Sequence, residues 1–590
     1  MNLGGREKII KDNVHGYIHI SREYFDIIDT ALFQRLKNVK QTSYISLYPS
    51  STHDRFIHSL GTYYLGRQVI EALWNNVGDE FDKLFSQEEK DTITFTFELA
   101  CLLHDVGHAP FSHTGENFYK IKGIDKTLEF YDFYTEYKEG NRISNFSYLD
   151  GLLLEELNKF YPGAEGFATD PTMKTFLSDY SNVLRDDSAK PHEKMSALLS
   201  LSKLILEIES IVNKINEKSE DKVSFNADLF VRCITGTKYA TPYRDKENKQ
   251  RFSFYTAIVT LLNSDIIDVD KLDYILRDNF MTGYENISID TERLIKSFTV
   301  VKVNDYCLLA YKKNALSVIE NVIRANDSTR RWVQSHPVIL YDTYITQRCV
   351  SETFKVLKEE KEDRHVFENF FCIDALTLEG KDWAEGEHVF LASDLDVISL
   401  MKRAYYRSED SEQQEIFREF FSRNRRRHPL WKSEAEYKVC FPEKMESERE
   451  IVFRKIKDGI AVIETFIDDS TGVGRYIFTE DTFEKVKDEM GSAGRIFLGA
   501  VKQYFDQLGK PMDIAILTAR SFASKIKKLN TNSLQVVMPA HLSDRTLYEY
   551  SKLLHVEDSS SDKVIFYLYS HHRIEAKDFI DFLFEKAKFE

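Results

Sequence analysis

The sequence is poor in cysteine, with six in 590 residues and no CxxC pair among them. That absence argues against a zinc knuckle and a disulfide framework, and it fits a reducing compartment. Glycine and proline are scarce, 24 and 11 residues, so long stretches run without the residues that interrupt helices. No apolar run is long enough to span a membrane. Residues 1–13 are polar and lack the apolar centre of a signal peptide, so the expected location is cytoplasmic, with no membrane partner. An excess of positive charge is also missing. Lys and Arg number 79 against 95 Asp and Glu, a net charge of −16, which gives no strong nucleic-acid signal. What is present is a 42% apolar and 13% aromatic composition, ample for a packed core. The length exceeds what one hydrophobic core normally holds.

Helical periodicity dominates. Tyr24 to Val39, Gly61 to Asn75, Leu272 to Phe280 and Ala315 to Val333 repeat apolar residues at three- and four-residue spacing. The expected fold is mainly α, with a helical body over residues 1–340. Residues 117–191, rich in Tyr, Asp, Glu and Lys, read as an insertion, with Gly140-Asn141 and Asp170-Pro171 as turn signals. Residues 341–450 read as a helical extension carrying a basic cluster, Arg423 to His428, most simply a solvated helix face or else part of an inter-subunit phosphate site. Residues 451–590 read as a small α+β domain, from the short apolar runs 459–466, 512–517, 534–538 and 564–569.

The chemistry concentrates in His104-Asp105-Val106-Gly107-His108-Ala109-Pro110-Phe111-Ser112-His113-Thr114-Gly115-Glu116, directly after the apolar stretch Phe95 to Leu103. Imidazole and carboxylate bind divalent metals, move protons and hold phosphates. His104 and Asp105, about 100° apart at one helix end, can grip an ion from two sides. Further ligands are on offer at His58, in Arg55-Phe56-Ile57-His58-Ser59-Leu60 at the start of an amphipathic helix, and at Asp270. Asp270, Tyr274 and Arg277/Asp278 recur at helical spacing and present one polar face. Two histidines and two aspartates suit Mg, Mn, Fe, Co, Ni or Zn. Taken singly, His58 reads equally as a core or capping histidine and Asp270 as a surface acid.

The joint order His…His-Asp…Asp is that of the HD phosphohydrolase superfamily. Ile27-Ile28-Asp29-Thr30-Ala31-Leu32-Phe33-Gln34-Arg35-Leu36, the RFxHSL run, HDVGHxPFSHxGE and DVDKLDYILRD resemble the deoxynucleoside triphosphate triphosphohydrolases, over roughly residues 8–335. The resemblance implies metal-dependent hydrolysis of a dNTP to deoxynucleoside and inorganic triphosphate. It implies His58, His104, Asp105 and Asp270 as metal ligands. His108 and His113 match the family's active-site histidines, with Glu116 as partner of the second. The family's further histidine is met by His192, in His192-Glu193, beyond the insertion. Read alone, His192 is an exposed histidine beginning a helix.

By the same resemblance Arg55 and Lys271 neutralise phosphate charge, Gln41, Tyr274 and Asp278 contact the sugar, and Gln334 aligns with a family glutamine. Val333 and Ala325 stand where the vertebrate members have a tyrosine and an arginine, and Arg324 is the neighbouring substitute. Lys8, Ile9, Asp29, Gln34 and Lys37 fall on an allosteric nucleotide site, which implies a GTP or dNTP effector and a homo-oligomer, dimer or tetramer. Asp29 can accept both edge donors of guanine. It can equally cap the helix beginning at Thr30, with Lys37 a solvated charge. Two other functions fit the sequence: an HD phosphohydrolase acting on a signalling nucleotide, and a slow nucleotide-sensing interaction protein.

Overall fold

The computed structural model describes residues 7–43, 47–120, 148–162, 170–186, 189–240, 246–284, 288–358, 371, 374–377, 390–442, 445–466, 473–520, 535–537, 545–546 and 564–586. Gly140-Asn141 and much of the insertion lie outside them. The described chain is mainly α-helical, with three small sheets. Contacts gather it into two units. One comprises Met1–Thr329, Glu368–Leu395 and Ser524–Glu557, the other Arg330–Phe367, Asp396–Ala523 and Asp558–Glu590.

The first unit opens with an antiparallel hairpin, β1 (Glu7–Asp12) and β2 (Gly16–Ser21). Its turn is set by Asp12, whose carboxylate accepts from Val14 N and His15 N, and by Gly16 at φ +78°. The expected helix from Tyr24 to Val39 is instead a string of short turns: Arg22–Tyr24, Phe25–Ile28, Ala31–Gln34 and Arg35–Asn38. Asp29-Thr30 breaks it, because Thr30 adopts extended backbone and caps the next turn through Phe33 N.

Helix α1 (Arg55–Asn76) starts where the Asp54 side chain accepts from Ile57 N. It was expected to be amphipathic, yet its buried residues, from Arg55 and His58 to Leu73, run round the helix. It packs against α2 (Gln87–Leu103), which begins in a Ser86–Glu89 capping box. Residues Ile93 to Leu103 of α2 are all buried, so a second core layer forms on α1. The described part of the insertion supplies α3 (Tyr148–Asn158) and α4 (Pro171–Asp186). Then come α5 (Pro191–Lys203), with proline in its first turn, α6 (Ala227–Thr235) and α7 (Val269–Thr282). Helix α7 packs on α1, and α6 packs on both α2 and α5. β3 (Phe298–Val303) and β4 (Tyr306–Lys312) pair antiparallel, and residues 535–537 add to β4 in parallel.

Buried ion pairs tie the insertion to this body. Asp150 of α3 takes the Tyr180 hydroxyl at 2.6 Å and the Lys194 ammonium at 2.8 Å. Arg232 of α6 is fully buried and donates to Asp228 and, on α4, to Asp179, both at 2.9 Å. Its guanidinium also lies 3.9 Å from the Tyr239 ring centroid. Arg232→Met would leave two buried carboxylates without their cation, which costs roughly 3–5 kcal/mol. The expected result is a denaturation midpoint lowered by that equivalent, with faster proteolysis across α4; an unmoved midpoint would show that Asp179 and Asp228 find other donors.

In the second unit the order of the four-stranded sheet is His428–Pro429, Val564–Ser570, Asp513–Arg520, Ile477–Thr479, all antiparallel. Two expectations are corrected here. Residues 459–463 are helical, within Ser447–Ile463, because Val452, Ile456, Ile460 and Ile463 bury one helical stripe. The basic cluster is a solvated face only in part: Arg423 and Arg425 are exposed in a short 3-10 turn, whereas Arg426 pairs with Asp342, and Arg427 with Glu419 and Asp513, all buried.

Candidate active site

Local rules place the first half of the site. Helix α2 ends at Leu103, leaving His104 as its C-cap and Asp105 in the turn that follows. The turn continues tightly to Gly107, where a Cβ would stand 2.3 Å from the Ser196 nitrogen of α5, so only glycine admits that helix. Next, Phe111 and Ser112 both take left-handed backbone, φ +62° and +54°, a strain of about 1–3 kcal/mol each that neighbours must hold. They are held: Phe111 N donates to Asp394 Oδ1 at 2.7 Å. Arg35 donates to the carbonyls of Val106, His108 and Ala392.

The side chains collect into two adjoining groups. In the first, His58 Nε2 lies 3.0 Å from Asp270 Oδ1, 3.3 Å from His104 Nε2 and 3.5 Å from Asp105 Oδ2. Each outer ring nitrogen is engaged, His58 Nδ1 with Asp273 Oδ2 at 2.6 Å and His104 Nδ1 with the Cys101 carbonyl at 2.9 Å. Carboxylate and carbonyl only accept, so both Nδ1 atoms carry hydrogen and both Nε2 atoms face inward. For ligand bonds of about 2.0–2.1 Å, neighbouring donor atoms sit roughly 3 Å apart, close to the separations here. Charge agrees. Burial pushes His58 down, but hydrogen bonds with Asp270 and Asp273 raise it to about 9, so these carboxylates stabilise positive charge at the site, and a metal on Nε2 would displace a proton. His58, His104 and Asp105, with Asp270 beside them, can therefore hold a metal ion.

The second group surrounds Glu116. Its Oε1 lies 2.7 Å from His113 Nδ1, 3.0 Å from His192 Nδ1 and 3.3 Å from His108 Nδ1. His108 and His192 stack at 4.1 Å and 12°. The exposed-helix-start reading of His192 is thus overturned: it is buried. Burial, then Arg55 and His192, push His108 down to about 3, so its ring is neutral. Burial alone would raise Glu116, but His192, His108 and His113 hold it well below the usual carboxylate range. His113 is the exposed member of the group, its side chain 57% accessible. These four residues are also arranged so that they can hold a metal ion. The groups abut where His108 Nε2 lies 3.1 Å from Asp105 Oδ1.

Around them, Arg55 donates to Asp105 at 2.7 Å and to Ser112 Oγ. Lys271 donates to Asp268, the cap of α7, at 2.6 Å. The Tyr274 hydroxyl reaches Asn326 at 3.3 Å. Asp278 accepts from His53 Nε2 at 2.8 Å. Gln41, beside His53, is buried with its Oε1 unbonded. Arg277, also on α7, is engaged elsewhere in the site's surroundings. It is buried and forks onto Asp273. Gln334 is exposed and belongs to the second unit, in the π-turn Arg330–Gln334. Arg324 is exposed, whereas Ala325 and Val333 are buried.

Of the candidate effector residues, Lys8, Ile9, Asp29 and Lys37 are exposed. The Lys37 ammonium meets Gln34 Oε1 at 2.5 Å, and Gln34 Nε2 donates to the Ile28 carbonyl. Asp29 does not cap the helix after it, since Thr30 does. His15, His53, Asp273 and Asp394 were missed. Asp273 alone had a signal, one turn beyond Asp270 in the DVDKLDY motif.

Among the described residues, no helix is long and apolar enough to cross a membrane. The family model described as HD domain matches residues 55–142. Human deoxynucleoside triphosphate triphosphohydrolase SAMHD1 is 26% identical over 343 residues, 58% of this chain and 44% of that protein. A mimivirus putative HD domain-containing protein is 26% identical over 344 residues, 56% of this chain and 55% of its own length. The chain thus spans about half the length of these relatives. Bacillus subtilis YwfO, uncharacterised, is 36% identical over 124 residues, 20% of this chain and 26% of its own. A crystal structure of a hypothetical Aquifex aeolicus protein aligns at TM-score 0.49 and 18% identity, covering 98% of this chain and all of that one. Residues 55–142 match the HD-domain model, and the chain resembles the HD-domain deoxynucleoside triphosphate triphosphohydrolases.

Proposed function

We propose that the protein hydrolyses deoxynucleoside triphosphates to deoxynucleoside and inorganic triphosphate in a metal-dependent reaction. The observation that carries this reading is the adjoining of a cation-holding group and a histidine–carboxylate group across the Asp105–His108 contact of 3.1 Å. A divalent metal, one of Mg, Mn, Fe, Co, Ni or Zn, supplies Lewis-acid charge at the phosphoryl group when bound by His58, His104, Asp105 and Asp270. His113, oriented by Glu116, donates a proton to the leaving sugar oxygen. His192 and the neutral His108 complete the second group, and Arg55 and Lys271 offset phosphate charge. Gln41, Tyr274 and Asp278 face the sugar.

The same reading takes residues 1–340 as the catalytic core, 341–450 as a helical extension and 451–590 as an α+β domain. It takes Lys8, Ile9, Asp29, Gln34 and Lys37 as a GTP or dNTP effector site in a cytoplasmic homo-oligomer. The test is incubation of the full chain with each dNTP, NTP and cyclic dinucleotide, with Mn²⁺ or Mg²⁺, and identification of products. Deoxynucleoside plus triphosphate is expected. Nucleoside monophosphate plus pyrophosphate would sink the proposal, and a rate indifferent to added GTP or a second dNTP would remove its effector part.

A further inference from the structure

One closed ring of hydrogen bonds lies behind the metal-holding group and includes the turn of the N-terminal hairpin. Asp273 of α7 uses both carboxylate oxygens fully. Oδ2 accepts from His58 Nδ1 at 2.6 Å and from Arg277 Nε at 2.9 Å. Oδ1 accepts from His15 Nε2 at 2.6 Å and from Arg277 at 2.9 Å. The other arm of Arg277 reaches Asp12 Oδ1 at 2.8 Å, and Asp12 Oδ2 holds the backbone nitrogen of His15 at 2.7 Å. Asp12, His15, Asp273 and Arg277 thus fix one another, and His58 hangs from the ring. Gly61 makes room for it, since a Cβ there would stand 1.9 Å from Asp273 Oδ1.

The carboxylate does two things to His58. It keeps hydrogen on Nδ1, which leaves the Nε2 lone pair for a cation, and it fixes the ring's direction. His15 lies 258 residues from Asp273 in sequence and contributes nothing to the donor set. Its side chain, 5% exposed, spends its Nε2 on Asp273 alone. We infer that His15 is a positioning residue that sets the affinity of the metal site through Asp273, so that the hairpin turn is part of the metal centre's outer support. The inference rests on the metal-site reading above.

The test is Mn²⁺ binding to metal-stripped full-length protein by isothermal titration calorimetry, a readout independent of turnover. Outer partners of metal ligands are worth about 10–100-fold in affinity. Asp273→Asn is expected near the upper end and His15→Ala, one bond further out, near tenfold. His19→Ala, on the exposed part of the same hairpin, is expected within twofold of wild type. The double variant His15→Ala with Asp273→Asn is expected to bind no more weakly than Asp273→Asn, because His15 acts through that carboxylate. His15→Gln, which keeps a donor, should recover most of the affinity and guards against a folding defect. It has room, since His15 borders a cavity of about 980 Å³. His15→Ala binding Mn²⁺ as wild type does, or losses that add in the double variant, would overturn the inference alone. Wild-type protein that binds no metal at all would overturn the metal-site reading with it.

Discussion

Asp105→Asn is expected to lower dNTP turnover roughly 10³-fold and to remove the tightly held metal with it. The carboxylate occupies a four-way position. It takes Arg55 at 2.7 Å, lies 3.5 Å from both His58 Nε2 and His104 Nε2, and lies 3.1 Å from His108 Nε2. The amide keeps the shape and deletes the charge. Lewis-acid stabilisation is worth several kcal/mol, and each 1.36 kcal/mol is tenfold in rate, which sets the magnitude. Arg55 keeps Ser112 and the Gln41 carbonyl as acceptors, so the fold should survive, as thermal unfolding can verify. The measurement is bound metal by elemental analysis after dialysis, beside the rate of triphosphate release. Full turnover with metal still bound would show that this group is not the metal site.

Glu116→Gln should separate the two groups. The ionised carboxylate accepts only and faces three imidazole nitrogens within 3.3 Å. A glutamine presents one carbonyl and one NH₂, so His113 loses either its fixed direction or its counter-charge. Loss of a positioned proton donor costs about 10²–10⁴ in rate. The expected result is a kcat lower by that factor, with KM changed little and Mn²⁺ affinity within twofold of wild type. A kcat within a few-fold of wild type would remove Glu116 and His113 from the proton-transfer step. Metal loss in this variant would instead show that the Glu116 group also holds an ion, as its geometry permits.

Neighbours along the chain made much of the site readable. His104 and Asp105 share one helix end, and His108, His113 and Glu116 follow within thirteen residues, where helix and turn geometry constrains which side chains can meet. Asp270 and Asp273 lie one turn apart on α7, but only Asp270 was singled out. An aspartate that faces a ligand and one that orients it look alike until the partner helix is in place. Periodicity identified α1, yet it could not show that the helix is buried around its girth, because that depends on what packs on each side. It also overestimated the segment from Tyr24 to Val39. Periodic apolar spacing persists there, while Thr30 caps a new turn and stops one helix from forming. In the C-terminal part, the apolar run at 459–466 was ambiguous between strand and helix, and packing in a helical stripe decided it.

By itself, the sequence determined the chemistry available: which imidazoles and carboxylates exist, their order, and the helices that carry them. These follow from spacing, caps and turns, all interactions over a few residues. Only the tertiary structure decided which groups share a charge environment. It set His192 against Glu116 despite the insertion between them, fastened Phe111 to Asp394, and brought His15 to Asp273 across 258 residues. The physical reason is that burial makes an unpaired polar group costly. Such partners are chosen by the packing of distant segments, and nothing in a local pattern encodes that choice.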